Sequence, residues 1–162
     1  MEQTTIRTIF SRADVQAVIS LHAEIYQHEY GFNQVFADYV ATALADYWAR
    51  FPHPREELWI VEKGSVVCGS IALVQREAEI AQLRWFLLAA EVRGQGLGQL
   101  LLQKALSFAR DRNYKVVQLW TVNLLTQAAQ LYQKAGFVKI AEQEPHAKWG
   151  TLVSEQCYEL RF

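Results

Sequence analysis

The segment Val92–Leu106, VRGQGLGQLLLQKAL, constrains the fold more than any other part of the sequence. It follows the apolar run IAQLRWFLL (Ile80–Leu88) and places glycine at positions 94, 96 and 98. It then opens a stretch with helical apolar spacing from Gly98 to Arg112. A buried strand, a glycine turn and a helix in succession collect oriented backbone N–H groups at one point. The first amides of a helix have no intrahelical partner and carry partial positive charge. Glycine supplies backbone angles that other residues resist and leaves room for a bulky anion. A phosphate or pyrophosphate is the natural occupant, with Arg93 adding a permanent positive charge. A helix entry that merely tolerates glycines is the competing reading.

Three phosphate motifs can be compared with this turn. The nucleotide P-loop ends in Gly-Lys-Ser/Thr, whereas Gly98 is followed by Gln99 and Leu100. The dinucleotide fingerprint needs its third glycine one step later and an acid at the end of the next strand, where Val122 and Asn123 stand. Arg/Gln-x-x-Gly-x-Gly/Ala fits RGQGLG, Arg93 to Gly98, without adjustment.

Around this turn the pattern alternates between helical and strand periods. Thr4–Phe10 alternates like a strand. SRAD, Ser11 to Asp14, resembles a capping box for a helix with Val15, Val18, Ile19, His22, Ile25 and Tyr26 on one face. A second helix is expected from Gln34 to Phe51, ended by FPHPREE because each proline biases its predecessor away from helix. Leu58–Val61 and Val66–Val74 read as strands joined at EKGS, and Ile80–Leu88 as the next strand. Beyond the Gly98–Arg112 helix come a strand over Lys115–Val122 and a helix over Thr126–Ala135 closed by Gly136. Phe137–Gln143 and Gln156–Phe162 are the last two strands. This mixed order argues for an α/β sheet with helices on its faces.

Composition bounds the partners. The 162 residues carry a formal net charge of −1, with 51% hydrophobic and 20% charged residues, which suits one globular domain over residues 1–162. The balance suggests no basic face for nucleic acid. No apolar run approaches the roughly 18 residues of a membrane span, and the N-terminus lacks a signal-peptide core, so cytoplasmic residence is the default expectation. Cys68 and Cys157 lie in strand-like runs without metal-ligand spacing and are expected as buried, reduced thiols; no metal is expected.

RGQGLG and LYQKAGF (Leu131–Phe137), with one helix and one strand between them, resemble the paired motifs of GNAT-superfamily N-acetyltransferases. LRWFLL, LWTVN and PHAKWGTLVSEQCYEL add a closer resemblance to the acetyltransferase domain fused to MarR-type repressors in bacteria, here without a winged-helix segment. The resemblance implies a mixed, mostly antiparallel sheet of about seven strands flanked by four helices. The sheet would carry a V-shaped splay between the fourth and fifth strands.

Acetyl-CoA is then the implied cofactor. Its pyrophosphate would lie on Arg93, Gly94, Gln95, Gly96, Leu97 and Gly98, and its pantetheine on the backbone of Phe86, Leu87 and Leu88. The Leu88 N–H would serve as oxyanion donor and Tyr132 as general acid, though Tyr132 also reads as a core aromatic. Asn123 joins the cofactor set with a doubt, because many members carry Asn seven residues before the tyrosine, where this chain has Leu125.

Glu24, Glu29 and Glu79 are candidate bases, each reading first as a solvated surface acid, with Glu29 also a candidate substrate contact. His22 reads first as a core histidine. Tyr26, Glu29, Tyr30, Gly31 and Phe32 form one candidate acceptor cluster, and His146, Trp149 and Gly150 a second; both also read as loop anchors. Trp85 and Trp120 are expected to pack on the sheet. The implied activity is acetyl transfer to a small-molecule amine by direct attack, with a non-catalytic acyl-CoA-binding module as the alternative. A homodimer through the exposed edge of the last strand follows by analogy.

Overall fold

The computed structural model describes residues 2–9 and 11–162; Phe10, at the end of the first expected strand, lies outside the described residues. The chain runs β1 (Thr4–Thr8), α1 (Arg12–Tyr30), α2 (Gln34–Ala49), β2 (Glu57–Lys63), β3 (Val66–Gln75) and β4 (Ile80–Leu88). A 3-10 turn (Ala90–Val92) leads to α3 (Leu97–Asp111), β5 (Val116–Val122), α4 (Thr126–Lys134), β6 (Val138–Glu142) and β7 (Glu155–Arg161). The expected element order holds. The second helix stops two residues early, at Ala49, and the turn at Ala90–Val92 carried no sequence signal that was recognised.

Local chemistry explains the helix ends. Ser11 accepts from the Asp14 amide while the Asp14 carboxylate accepts from the Ser11 amide, a complete capping box. Gly31 closes α1 in the left-handed region at φ 71°. Asn33 caps α2 by accepting from the amides of Val35 and Phe36.

The seven strands form one sheet in the order β1-β2-β3-β4-β5-β7-β6. The β4–β5 pair is parallel and every other pair antiparallel. The last strand is therefore interior, between β5 and β6. On that side the edge is β6, all five of whose residues are exposed, which corrects the expected placement of the edge. One core lies between the sheet and α3 and α4, built on Ile71, Leu73, Leu83, Leu101, Leu102 and Leu119. The other lies under α1 and α2, built on Val18, Leu44, Tyr47, Leu58 and Ile60. Central strands buried on both faces read as near-continuous apolar runs, as LWIV and SIALV do. Cys68 and Cys157 are buried free thiols, and burial raises both above the ordinary thiol range.

Candidate active site

The site begins where two strands part. β4 and β5 pair only from Ile80–Val116 to Leu83–Leu119. Beyond that point β4 stays with β3 through Leu88, and β5 stays with β7 through Val122. The cause is a bulge at Trp85, whose φ is 49°, a conformation a bulky side chain adopts only when its surroundings impose it. The register jumps between Ser70–Leu87 and Ala72–Arg84, so Trp85 and Phe86 together oppose Ile71. The buried Ser70 hydroxyl donates to the Trp85 carbonyl at 2.6 Å and holds the kink. Ala81, Leu83 and Leu87 thus pack on the α3 side, while Trp85 packs among the residues of α1 and α2.

Strand alternation then aims backbone into the gap. The Ala89 amide donates to the Cys68 carbonyl at 2.8 Å, which turns the neighbouring Leu88 peptide groups away from β3. The Leu88 carbonyl accepts from Arg93 Nε at 2.8 Å.

The glycine loop lies beside this gap. Gly94 and Gly96 sit at φ 73° and 80°, and a Cβ at either would meet no atom within 4 Å. Backbone angle, not crowding, requires glycine there. Gly96 is the N-cap of α3, which has no side-chain cap and no acid in its first turn. The α3 ladder closes first at Leu100, whose amide donates to Gly96, so the preceding amides are left for an anion. This open helix start fits a diphosphate in a way that the capped α1 and α2 do not. A groove of about 510 Å³ runs from the loop along β4, lined by Phe86, Leu87, Leu88, Arg93, Gly94, Gly96, Gly98 and Tyr132.

A second cavity, about 160 Å³, lies on the other side and shares Tyr26, Phe86, Leu125, Ala128 and Tyr132 with the groove. Tyr132 is wedged against the rings of Phe86, Phe137 and Tyr158 at 6.1, 5.9 and 6.1 Å. Its hydroxyl has no hydrogen-bond partner among the described residues. Burial, reinforced by Tyr26, raises it well above the ordinary phenol range, so it carries its proton at every working pH. His22 lines the smaller cavity with Nδ1 2.8 Å from the Val18 carbonyl, which fixes its proton on Nδ1. Burial pushes it down to about 4, against that hydrogen bond, so it is neutral.

Several expected site residues stand elsewhere. Both Glu29 oxygens are held by Arg93, and Glu29 lines neither cavity. The geometry therefore offers a positioning acid rather than a free base. Glu24 and Glu79 are exposed and line neither cavity. Tyr30 lines the groove instead of the smaller cavity. His146 bonds Glu155 at 3.0 Å and lines neither, whereas Trp149 lines the smaller cavity. Gln95, Leu97 and Asn123 do not line the groove; Asn123 Oδ1 accepts from the Ser154 amide at 2.8 Å, a loop brace. Trp85 packs as expected, but Trp120 is 44% exposed and lines the smaller cavity, a correction to its expected packing role. Sequence reasoning missed Ser70, Phe36, Tyr39, Arg84, Thr121 and Glu155. Of these, Arg84 had a signal, the one charge in the strand IAQLRWFLL. Among the described residues no cluster could hold a metal ion, and no helix is long and apolar enough to cross a membrane.

A splayed mixed sheet, an uncapped glycine-led helix beside the gap and two cavities meeting at a phenol define a class of α/β acyl-transfer folds. Residues 16–137 match the Acetyltransferase (GNAT) family, and the chain belongs to that family. It is 31% identical over 138 residues to N-acetyltransferase 8F1 of Rattus norvegicus, covering 80% of this chain and 62% of that protein. It is 32% identical over 120 residues to the uncharacterized N-acetyltransferase YjgM of Escherichia coli, covering 66% of this chain and 72% of that protein. Of the rat N-acetyltransferase family 8 member 2 it spans 45%, so it matches about half the length of some relatives. Among solved structures, an acetyltransferase from Streptococcus agalactiae superposes with a TM-score of 0.78 at 18% identity, covering 98% of both chains. The yncA protein of Salmonella typhimurium, solved with its cofactor acetyl-CoA, gives 0.75 at 20% identity, covering 98% of this chain and 94% of that one. At these identities the structural likeness establishes the fold.

Proposed function

We propose that this chain is a single-domain, acetyl-CoA-dependent N-acetyltransferase acting on a small-molecule amine by direct attack in a ternary complex. The observation that carries the reading is the meeting of the groove and the smaller cavity at Phe86 and Tyr132. Two molecules entering from opposite sides of the strand gap would touch there. Acetyl-CoA supplies an activated acetyl group as a thioester. The α3 amides and Arg93 would hold its diphosphate end, and the β4 backbone at Phe86–Leu88 its pantetheine. The Leu88 N–H, turned into the gap, is the oxyanion donor of this reading, an interaction worth about 3 kcal/mol in measured cases. Tyr132 keeps its proton and can give it to a leaving thiolate. With a thiol pKa near 8.5, that donation contributes a modest factor.

His22 is too weak a base to deprotonate an alkyl amine, and Glu29 is engaged by Arg93. Loss of the amine proton is therefore assigned to water in the cavity mouth. The kinship to the domain fused to MarR-type repressors belongs to this reading and rests on the motifs that suggested it. So do a cytoplasmic location and pairing of two copies, now through the exposed β6 edge.

The test is incubation with acetyl-CoA and a broad amine panel, with free thiol followed by a chromogenic disulfide. Thiol release dependent on one amine class supports the enzyme. Calorimetric uptake of CoA with silence across the panel supports the acyl-CoA-binding module instead.

A further inference from the structure

Arg84 is an unpaired cation in an aromatic cavity. It lines the smaller cavity together with Phe36, Tyr39, Trp85, Trp120 and Trp149. Among the described residues no carboxylate lies within ion-pair distance of it. Its Nη2 donates to the Tyr39 hydroxyl at 3.2 Å. The guanidinium carbon stands 4.8 Å from the Trp85 ring centroid and 5.9 Å from that of Tyr39. One of five N–H groups is thus used, and among the described residues the rest of the fork meets no acceptor.

The bulge explains how the cation comes to be there. In a regular strand, neighbouring side chains point to opposite faces. Trp85 is turned onto the α1–α2 side by its left-handed backbone, so Arg84 and Trp85 share that face and the guanidinium lies over the indole. A cation half withdrawn from water is costly unless it finds an anion, and ring contacts offset only part of that cost. Two acids near the strand gap, by contrast, are paired. Arg93 holds Glu29, and Glu155, the acid lining the cavity, is taken by His146 at 3.0 Å and Lys148 at 3.7 Å. The Thr121 hydroxyl in the same lining is buried without a hydrogen-bond partner among the described residues.

We propose that Arg84 receives the carboxylate of the acceptor, so that the acceptor is an amine carrying a carboxylate on an apolar body, an amino acid in the broad sense. This rests on the acyl-transfer reading above. One planar fork matches the two oxygens of a carboxylate, while the rings around it take the apolar part. The carboxylate makes and breaks no bond. The amine nitrogen bonds to the acetyl carbon, the carbon–sulfur bond breaks, the nitrogen loses a proton to solvent and the sulfur gains one. The products are an N-acetylated amino acid and the free thiol of CoA.

The experiment compares phenylalanine, phenylalaninamide and 2-phenylethylamine as acceptors, and in a smaller size leucine, leucinamide and 3-methylbutylamine. Wild type and Arg84→Gln are assayed by thiol release. Calorimetry of the CoA-loaded protein with N-acetylphenylalanine, N-acetylleucine and the two acetylated amines lacking the carboxylate gives a readout independent of turnover. The expected result is a preference of about 10- to 100-fold for the carboxylate-bearing member, in kcat/KM or in product affinity. Arg84→Gln erases that preference while CoA uptake stays within about two-fold. Equal use of the amine without a carboxylate, a preference that survives Arg84→Gln, or a polyamine as best acceptor overturns the proposal while leaving acetyl transfer intact. Failure of CoA uptake overturns the acyl-transfer reading first and this proposal with it.

Discussion

Arg93 grips Glu29 through two parallel hydrogen bonds, Nη1 to Oε1 at 2.7 Å and Nη2 to Oε2 at 2.8 Å, while its Nε holds the Leu88 carbonyl at 2.8 Å. One side chain thereby ties the end of α1 to the glycine loop and to the last residue of β4. The hydrogen bonds from Arg93 hold the Glu29 carboxyl below the usual carboxylate range, against a smaller opposing effect of burial. The carboxylate is charged but fully engaged. Glu29→Gln is therefore expected to leave kcat within about two-fold and the pH profile of kcat unchanged, where loss of a general base would cost about 100-fold or more. Both partners are partly exposed, so the stability change stays under about 1 kcal/mol. A pH–rate series on the variant checks this.

Tyr132 stands where the two cavities join, with its ring fixed by three aromatic neighbours. Removing only the hydroxyl leaves that packing in place. Tyr132→Phe is expected to bind CoA within about two-fold of wild type and to lose about 10- to 100-fold in kcat. Calorimetry and steady-state kinetics on one preparation separate the two. An unchanged kcat would make Tyr132 a packing residue.

Ser70 locks the bulge on which the gap depends, through its hydroxyl and the Trp85 carbonyl. Ser70→Ala leaves that carbonyl without its side-chain donor, and a buried unsatisfied polar group costs about 1–3 kcal/mol. Urea denaturation should show a loss of this size, and CoA affinity should fall as β4 relaxes toward β5. Full stability with full affinity would mean that the surrounding core, not this hydrogen bond, holds Trp85 in its left-handed conformation.

The elements were legible in the sequence because their causes are local: SRAD writes its own cap, and LWIV and IAQLRWFLL write their burial. The glycine loop beside the strand gap was legible for the same reason, since a glycine-led helix start is a contiguous signal. The smaller cavity was not. Arg84, Tyr39, Trp149 and Glu155 come from β4, α2, a loop and β7, and nothing contiguous links them. The bulge left no sequence mark either. Its side-chain hydrogen bond comes from a serine in the neighbouring strand, and a tryptophan with positive φ is not what spacing would suggest. Glu29 misled for a related reason, because its partner lies 64 residues away.

His22 gives the fold a pH dependence with a definite sign. It is 3% exposed, donates from Nδ1 to Val18 and stacks on Tyr26 with the rings 4° from parallel. Burial pushes it down from 6.5 to about 4. Between those values the unfolded chain binds a proton that the folded chain refuses, so the unfolded state gains as pH falls. Stability is unaffected by this group above about pH 6.5 and is lost progressively down to about pH 4. At about pH 5 the loss amounts to roughly 2 kcal/mol relative to pH 7. His22→Gln keeps a donor for the Val18 carbonyl and removes the titration. The variant's urea midpoint is expected to change less between pH 7 and pH 5 than that of wild type, by the equivalent of that amount. Parallel pH dependence in the two proteins would show that His22 accepts its proton in the folded state, and that the cavity beside it admits enough water to solvate the imidazolium.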